Sequence, residues 1–334
     1  MGEVNIAPLV QVQNLKKYFD IKGKGKLHAV DDVSFDIYPG ETIGLVGESG
    51  CGKSTVGNLV MRLHKPTGGR LLFRGKSVFE AKREEHLELC KKIQIIFQDP
   101  YSSLNPRKTI RSILREAYNI HNISKGDELE QTIHTLCGEA GISVDLLDKY
   151  PHELDGGKRQ IVGIARALSL SPEFIVCDEP VSSLDVSIQA TIINLLIDLQ
   201  KKKGLAYLFI SHDLSVVRHI SNRIAVMYLG QIIELAETDE IFANAKHPYT
   251  IALLSAVPKI DLNNRTSRIV LKGDVSSPIN PKPGCRFAPR CWMAQQICSE
   301  KAPELKVVGE GHCAACHFCD DSQEYAKKAE KYSL

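Results

Sequence analysis

The chain has 334 residues, enough for two domains at about 100–200 residues each. It is 43% hydrophobic and 25% charged, with a formal net charge of +2, which argues against a disordered chain and against a broad nucleic-acid-binding surface. No run of about 18 apolar residues occurs, and the N-terminus has no basic segment leading into an apolar core, so neither a membrane span nor a secretory leader is expected and the chain is placed in the cytoplasm.

Within residues 9–46, "LVQVQNL", "AVDDVSFDI" and "ETIGLV" carry alternating or continuous apolar residues and are predicted strands. "GKSTVGNLVMRL" is a predicted helix that begins inside a glycine-rich loop. Strand signals recur at "GRLLFRG" and "KIQIIFQ". From about Tyr101 to Leu170 the pattern is mostly helical, broken by Pro151 and the Gly156–Gly157 pair just before "KRQIVGIARALSL". "EFIVCDEP" is a short buried strand, followed by the helix "VSIQATIINLLIDLQKKKG", the strand "AYLFISHD" and a hairpin about Gly230 in "RIAVMYLGQIIELA". Strands alternating with helices imply an α/β fold with a mainly parallel sheet. The pattern weakens near Val257–Asp261, and the proline-rich "SSPINPKPG" leads into a cysteine cluster.

Two motifs carry phosphate chemistry. Gly47-x4-Gly52-Lys53-Ser54, with a strand before it and a helix after, fits a P-loop. The backbone N–H groups of Ser49, Gly50, Cys51, Gly52, Lys53, Ser54 and Thr55 can ring a β-phosphate at the positive end of a helix dipole. Lys53 would reach the β- and γ-phosphates, and the Ser54 hydroxyl would bind Mg²⁺; Cys51 is read as space-filling. In "FIVCDEP" the apolar strand ends in two carboxylates, which places Asp178 to hold Mg²⁺ through water and Glu179 to polarise an attacking water.

The third motif, "ELDGGKRQ", resembles the signature of the ATP-binding cassette (ABC) ATPases, usually Leu-Ser-Gly-Gly-Gln: Leu154, Gly156, Gly157, Arg159 and Gln160 match, and Asp155 and Lys158 depart. The resemblance extends to Gln98 as the Q-loop glutamine, which touches ATP and Mg²⁺, and to Asp185 in "SSLD" as the D-loop aspartate. It assigns His212 in "FISHD" as the switch histidine, and Phe19 in "LKKYFD", with Tyr18 the alternative, as the aromatic that stacks on adenine. "IFQDPYSSLNPR", "HPYTIALLSAVP", "GCRFAPRC" and "ACHF" resemble the ATPase subunits of oligopeptide and dipeptide importers. This implies an ABC nucleotide-binding domain over 1–257, with an antiparallel β subdomain and a helical subdomain at about 101–170, and a small cysteine-rich extension over 258–334.

In that family two ATPase subunits pack head to tail, so Asp155, Gly156, Gly157 and Lys158 would face the partner's ATP. The implied partners are a second ATPase subunit, two transmembrane permease subunits and an extracellular substrate-binding protein, with this chain bound at the cytoplasmic face of the cell membrane. Import of nickel or a metal chelate by the same machinery is one alternative. A soluble ABC ATPase acting on nucleic acid or ribosomes is another, disfavoured by the single P-loop and the lack of sustained heptads.

Of ten cysteines, Cys51, Cys90, Cys137 and Cys177 are scattered, and six lie between Cys285 and Cys319. In a cytosolic chain such a cluster points to a metal site rather than disulfides. Four thiolates can hold either an iron–sulfur cluster or Zn²⁺. The family resemblance favours [4Fe–4S] on Cys285, Cys291, Cys298 and Cys316, while Cys313 and Cys319, beside His312 and His317, offer other ligand sets. Their distance along the chain from every nucleotide motif implies a structural role.

Overall fold

The computed structural model describes residues 7–257, 268–271, 273 and 276–319. The expected domain boundary after Val257 opens onto 258–267, which lie outside the described residues, as does the end of the extension, 320–334.

Among the described residues twelve strands form two sheets. β1 (Val10–Ile21), β2 (Gly25–Ile37), β4 (Gly68–Phe73) and β5 (Lys76–Ser77) make an antiparallel sheet in the order β2-β1-β4-β5. The second sheet runs β11-β12-β10-β9-β3-β8-β7-β6, from β3 (Thr42–Val46), β6 (Ile93–Ile96), β7 (Phe174–Asp178), β8 (Ala206–Ile210), β9 (Arg223–Tyr228), β10 (Gln231–Glu237), β11 (Lys306–Gly309) and β12 (His312–Ala314). Its β9-β3-β8-β7-β6 portion is parallel.

The parallel strands are buried on both faces, which is why they read as unbroken apolar runs. Successive side chains still part to opposite sides. Phe174 and Val176 of β7 face the layer beneath the antiparallel sheet, with Val56 and Leu59 of the helix Lys53–Val60. Ile175 and Cys177 face the helical layer, with Ile193 and Leu196 of the helix Val186–Lys203.

Between β6 and β7, after a single turn at Pro100–Ser103, the longer helices are Ile110–His121, Gly126–Ala140 and Gly156–Leu168, with 3₁₀ turns at Val144–Leu146 and Pro151–Glu153 ahead of the third. Asn122 and Gly141, both in the left-handed region, end the first two of these longer helices. The third begins at Gly156 rather than after the glycine pair, because Asp155 caps it. The helix Arg83–Lys92 buries no residue, so it left no periodic apolar signal.

The extension adds to the same molecule. β12 pairs with β10 and carries β11, lengthening the main sheet. Buried Glu234 of β10 accepts hydrogen bonds from the His247 amide at 2.9 Å and pairs with His312 Nε2 at 2.8 Å. The proline-rich segment is docked on the β1–β2 hairpin: Ile279 bridges Leu27, and the His28 amide donates to the Pro278 carbonyl at 3.0 Å.

Candidate nucleotide-binding site

β3 ends at Val46, and the chain turns sharply before the helix Lys53–Val60. Two glycines make the turn feasible. Gly47 has φ 153° and Gly52 has φ 110°; a Cβ there would lie 2.2 Å from the Met227 carbonyl oxygen and 2.1 Å from that of Ala29. The loop therefore packs closely against β9 and the hairpin; within it the Cys51 amide donates to the Glu48 carbonyl at 3.3 Å. The Lys53 ammonium, almost wholly buried, is held over the loop by the carbonyls of Gly47 at 2.8 Å and Glu48 at 3.1 Å.

An open cleft of about 570 Å³ lies above this loop. Phe19, Ser49, Gly50, Cys51, Gly52, Lys53, Ser54, Thr55, Gln98, Glu179 and His212 line it, so residues far apart in the sequence meet in one place. Phe19 faces the cleft; Tyr18 instead stacks on His28, with ring centroids 3.9 Å apart, and hydrogen-bonds Asp31. Burial, then the Asp31 carboxylate, pushes the Tyr18 phenol up to about 12, so it stays a donor.

Asp178 accepts from the Ser54 hydroxyl at 2.9 Å. Burial pushes its carboxyl above the ordinary value, Glu179 adds to this and Ser54 opposes it. A hydroxyl and a carboxylate side by side form an all-oxygen donor set that fits Mg²⁺, whose charge would favour the ionised acid. Glu179 follows at φ 45°, an unusual conformation for a side-chain-bearing residue, fixed by its amide donating to the Ile210 carbonyl. That turn aims its carboxylate at Gln98 Nε2, 3.2 Å away, and at His212 Nδ1, 3.1 Å away.

The signature residues lie elsewhere. Among the described residues that line the cleft there is no Asp155, Gly156, Gly157 or Lys158. Asp155 is exposed; its carboxylate accepts from the Lys158 amide at 2.8 Å and pairs with the Lys158 ammonium at 2.9 Å. These two contacts, the amide first, hold the Asp155 acid below its usual range. Gly157 packs so closely on Ile188 that a Cβ would come within 2.7 Å of it. Exposed Asp185 caps the helix Val186–Lys203, its carboxylate accepting from the Ile188 amide at 3.0 Å.

Some cleft residues carried no signal in the sequence: Leu27, His28, Ala29, Leu229, Gly230 and Pro278. Cys285, Cys291, Cys298 and Cys316 line a separate small cavity with His247 and His317. Burial pushes the Cys291 thiol up to about 12 and raises that of Cys285; Cys316 is raised by its hydrogen bond with Cys319 and then by burial. Among the described residues no three His, Cys, Asp or Glu side chains are arranged to hold a single metal ion. Cys313 and Cys319 do not line that cavity.

Residues 30–182 match the family model described as ABC transporter, and residues 233–298 match that described as Oligopeptide/dipeptide transporter, C-terminal region. The oligopeptide transport ATP-binding protein AppF of Bacillus subtilis (strain 168) is 49% identical over 327 residues, spanning 95% of this chain and 99% of the relative. The dipeptide transport ATP-binding protein DppF of Haemophilus influenzae is 47% identical over 319 residues, spanning 94% and 97%. Among solved structures, cbiO1 from Clostridium perfringens, part of the ABC transporter complex cbiONQ, superposes with a TM-score of 0.62 at 28% identity, covering 74% of this chain and 95% of that one. The dimeric post-hydrolysis state of the cassette MJ0796 bound to ADP and Pi gives 0.63 at 27% identity, covering 69% and 98%.

Proposed function

The chain belongs to the ATP-binding subunits of ABC transporters, in their oligopeptide/dipeptide branch, and hydrolyses ATP in step with transport; from this we propose that it powers peptide import as one half of an unlike pair of ATPase subunits. The observation that carries the reading is the meeting of P-loop, Gln98, Glu179 and His212 in one cleft, while Asp155 stands apart from it. The named relatives act on oligopeptides and dipeptides, which favours peptide over nickel or chelate cargo and over a nucleic-acid or ribosome role.

In this reading the loop amides from Ser49 to Thr55 and Lys53 bind the β- and γ-phosphates. Ser54 and Asp178, with Gln98 beside them, hold Mg²⁺, which would neutralise charge on the phosphates. Glu179 orients the attacking water and takes up its proton, with His212 fixing the carboxylate. Phe19 carries the base. Asp155, Gly156, Gly157 and Lys158 close on the partner's nucleotide, and Asp185 lies at the junction.

A permease pair would dock on the helical side, near the exposed Phe97 and Tyr101 next to Gln98, at the cytoplasmic face of the membrane, with an external binding protein delivering cargo. Among the described residues no helix is long and apolar enough to cross a membrane. The test of this assembly is co-purification: the chain should bring down permease subunits and a second, different ATPase subunit, and recovery of a self-paired cassette without permease overturns it.

The extension is proposed as a unit holding [4Fe–4S] on Cys285, Cys291, Cys298 and Cys316. Support comes from their spacing and their shared cavity. A single Zn²⁺, with Zn–S of about 2.3 Å, would draw the four sulfurs into a tight tetrahedron. The cavity that the four thiols line is only about 10 Å³, room for about one water, so either group would have to move side chains to enter. Ligation requires thiolates, so a cluster would have to offset the burial that raises these thiols. Anaerobically purified protein should contain about four irons and four acid-labile sulfides per chain. Stoichiometric zinc without sulfide would refute the assignment.

A further inference from the structure

The turn that joins Cys285 to Cys291 touches the nucleotide site at two places. It is tightly wound: the Ala288 amide donates to the Cys285 carbonyl at 3.1 Å, Arg290 to Phe287 at 3.0 Å and Cys291 to Ala288 at 3.2 Å. Phe287 at its centre is buried, its ring 5.3 Å from that of Tyr228 and 5.5 Å from that of Tyr249. Two arginines leave the turn from either side of this anchor.

Arg286 bonds the Asp31 carboxylate and the Leu229 carbonyl, so it holds the hairpin wall against the β9–β10 turn; Leu229 itself lines the cleft. Arg290, with 9% of its side chain exposed, reaches Glu48 with both prongs, at 2.8 and 3.1 Å. A two-pronged guanidinium–carboxylate contact fixes direction as well as distance. Glu48 is the second residue of the P-loop. Its amide donates to the Tyr249 hydroxyl at 2.9 Å, and its carbonyl accepts from Lys53 at 3.1 Å. A continuous path therefore runs from the cysteine-bounded turn through Arg290 and Glu48 to the phosphate-binding lysine.

We propose that the Cys285–Cys291 turn is a clamp on the nucleotide pocket, with Arg290 a positioning residue that sets the P-loop through Glu48 and Arg286 one that sets the base-side wall. Freed of Arg290, the Glu48 carboxylate carries an unpaired charge beside the loop that must receive phosphates, and the Lys53 tether moves with it. Coupling runs both ways: nucleotide in the cleft steadies the turn. The clamp acts through this chain's own side chains and needs no metal to do so. It rests on the reading of Gly47–Thr55 as the ATP site.

The experiment is equilibrium binding of Mg–ADP to the full chain. Arg290→Ala should weaken it about tenfold, within the range of measured couplings. Glu48→Gln should do much the same, and the double variant should be no weaker than the worse single one, because both remove one contact. Arg290→Lys, which keeps the charge without the fork, should recover part of the loss. In the native chain Mg–ADP should slow amide exchange across 285–291 and leave Arg83–Lys92 unchanged; in Arg290→Ala the slowing should vanish. Binding within twofold of native for Arg290→Ala, losses that multiply in the double variant, or no slowing at 285–291 would each overturn the clamp. If Arg290→Ala does not fold, Glu48→Gln and the exchange of the native chain decide the matter. Lys53→Ala separates the two readings: normal Mg–ADP binding there removes the ATP site and the clamp with it, whereas lost binding there with normal binding in Arg290→Ala removes the clamp alone.

Discussion

On the P-loop side, side chains from separate segments satisfy one another across the cleft: Ser54 with Asp178, and Gln98 and His212 with Glu179. On the signature side, Asp155 finds both its partners within its own helical turn, in the amide and the ammonium of Lys158. The first arrangement exists only once the whole sheet is assembled, and it leaves its groups aimed into an open cleft. The second is complete locally and faces solvent. A serine at position 155 would offer a donor to a phosphate, whereas an ionised aspartate can only accept. The contacts that hold its acid below the ordinary range keep it in that form. On the proposed function, one chain would carry a half-site equipped to hydrolyse ATP and a half-site poorly equipped to help a partner do so.

The largest test of this contrast is Glu179→Gln. Paired with its partner, in a background where the partner's catalytic glutamate is also changed, hydrolysis should fall by about 10²–10⁴-fold with ATP still bound. Near-normal turnover would remove the distinction from the P-loop side. The next largest is Asp155→Ser, measured on this chain alone. Two unit charges about 4 Å apart repel by about 1 kcal/mol in water and about 4 at an effective dielectric of 20. Exchanging that repulsion for a donor should therefore raise turnover by at least about fivefold. If the native chain alone already hydrolyses ATP as fast as the pair, the two halves are equivalent and the unlike-pair reading fails.

The contrast also marks what the sequence could reveal. The P-loop was legible because its needs are local: an apolar strand, glycines at Gly47 and Gly52 where positive φ and close approach forbid side chains, and a lysine opening the helix. Phe19 and Tyr18 are neighbours that composition cannot separate; the bond from Tyr18 to Asp31 turns one inward and leaves the other for the cleft. Distance along the chain misled most at the C-terminus. Pro278, Arg286 and Arg290 reach the nucleotide site across more than 200 residues, with no spacing rule to announce it. β12 has three residues and no alternation to read, yet it joins the main sheet through β10.

A smaller effect separates the two jobs of Asp155. Its carboxylate caps the helix Gly156–Leu168, and replacing a cap by alanine costs about 0.5–2 kcal/mol. Asp155→Ala should lower the melting temperature, while Asp155→Ser, which can also cap, should not. The pH dependence has a definite sign. A carboxyl whose folded pKa is depressed stabilises the fold above its unfolded value, near 3.8 here, and loses that contribution as pH falls through the lower folded value. The gap between the native chain and Asp155→Ser should therefore change only below about pH 4, and by little, because the group is exposed. A gap that changes at neutral pH would show that Asp155 has partners beyond its own turn.

The smallest effect comes from Lys158. Its ammonium sits 2.9 Å from Asp155 with both side chains about half exposed, at 54% and 52%. An exposed pair one helical turn apart contributes about 0.3–0.5 kcal/mol, and less as salt rises. Lys158→Ala should thus barely move stability. Its interest lies in what it uncovers. With the ammonium gone, Asp155 presents its whole charge to the partner's γ-phosphate, and ATP held against this signature should weaken by about twofold, the same energy expressed as a ratio. In the Asp155→Ser background no carboxylate remains to be uncovered, so Lys158→Ala should then have no effect on ATP binding at that half. The cycle is measured as ATP affinity of the partner's site in the assembled pair at low and at high salt. Equal losses in both backgrounds would mean that Lys158 contacts the nucleotide directly. The signature half would then have a cationic contact of its own, and the contrast between the halves would narrow to the one carboxylate.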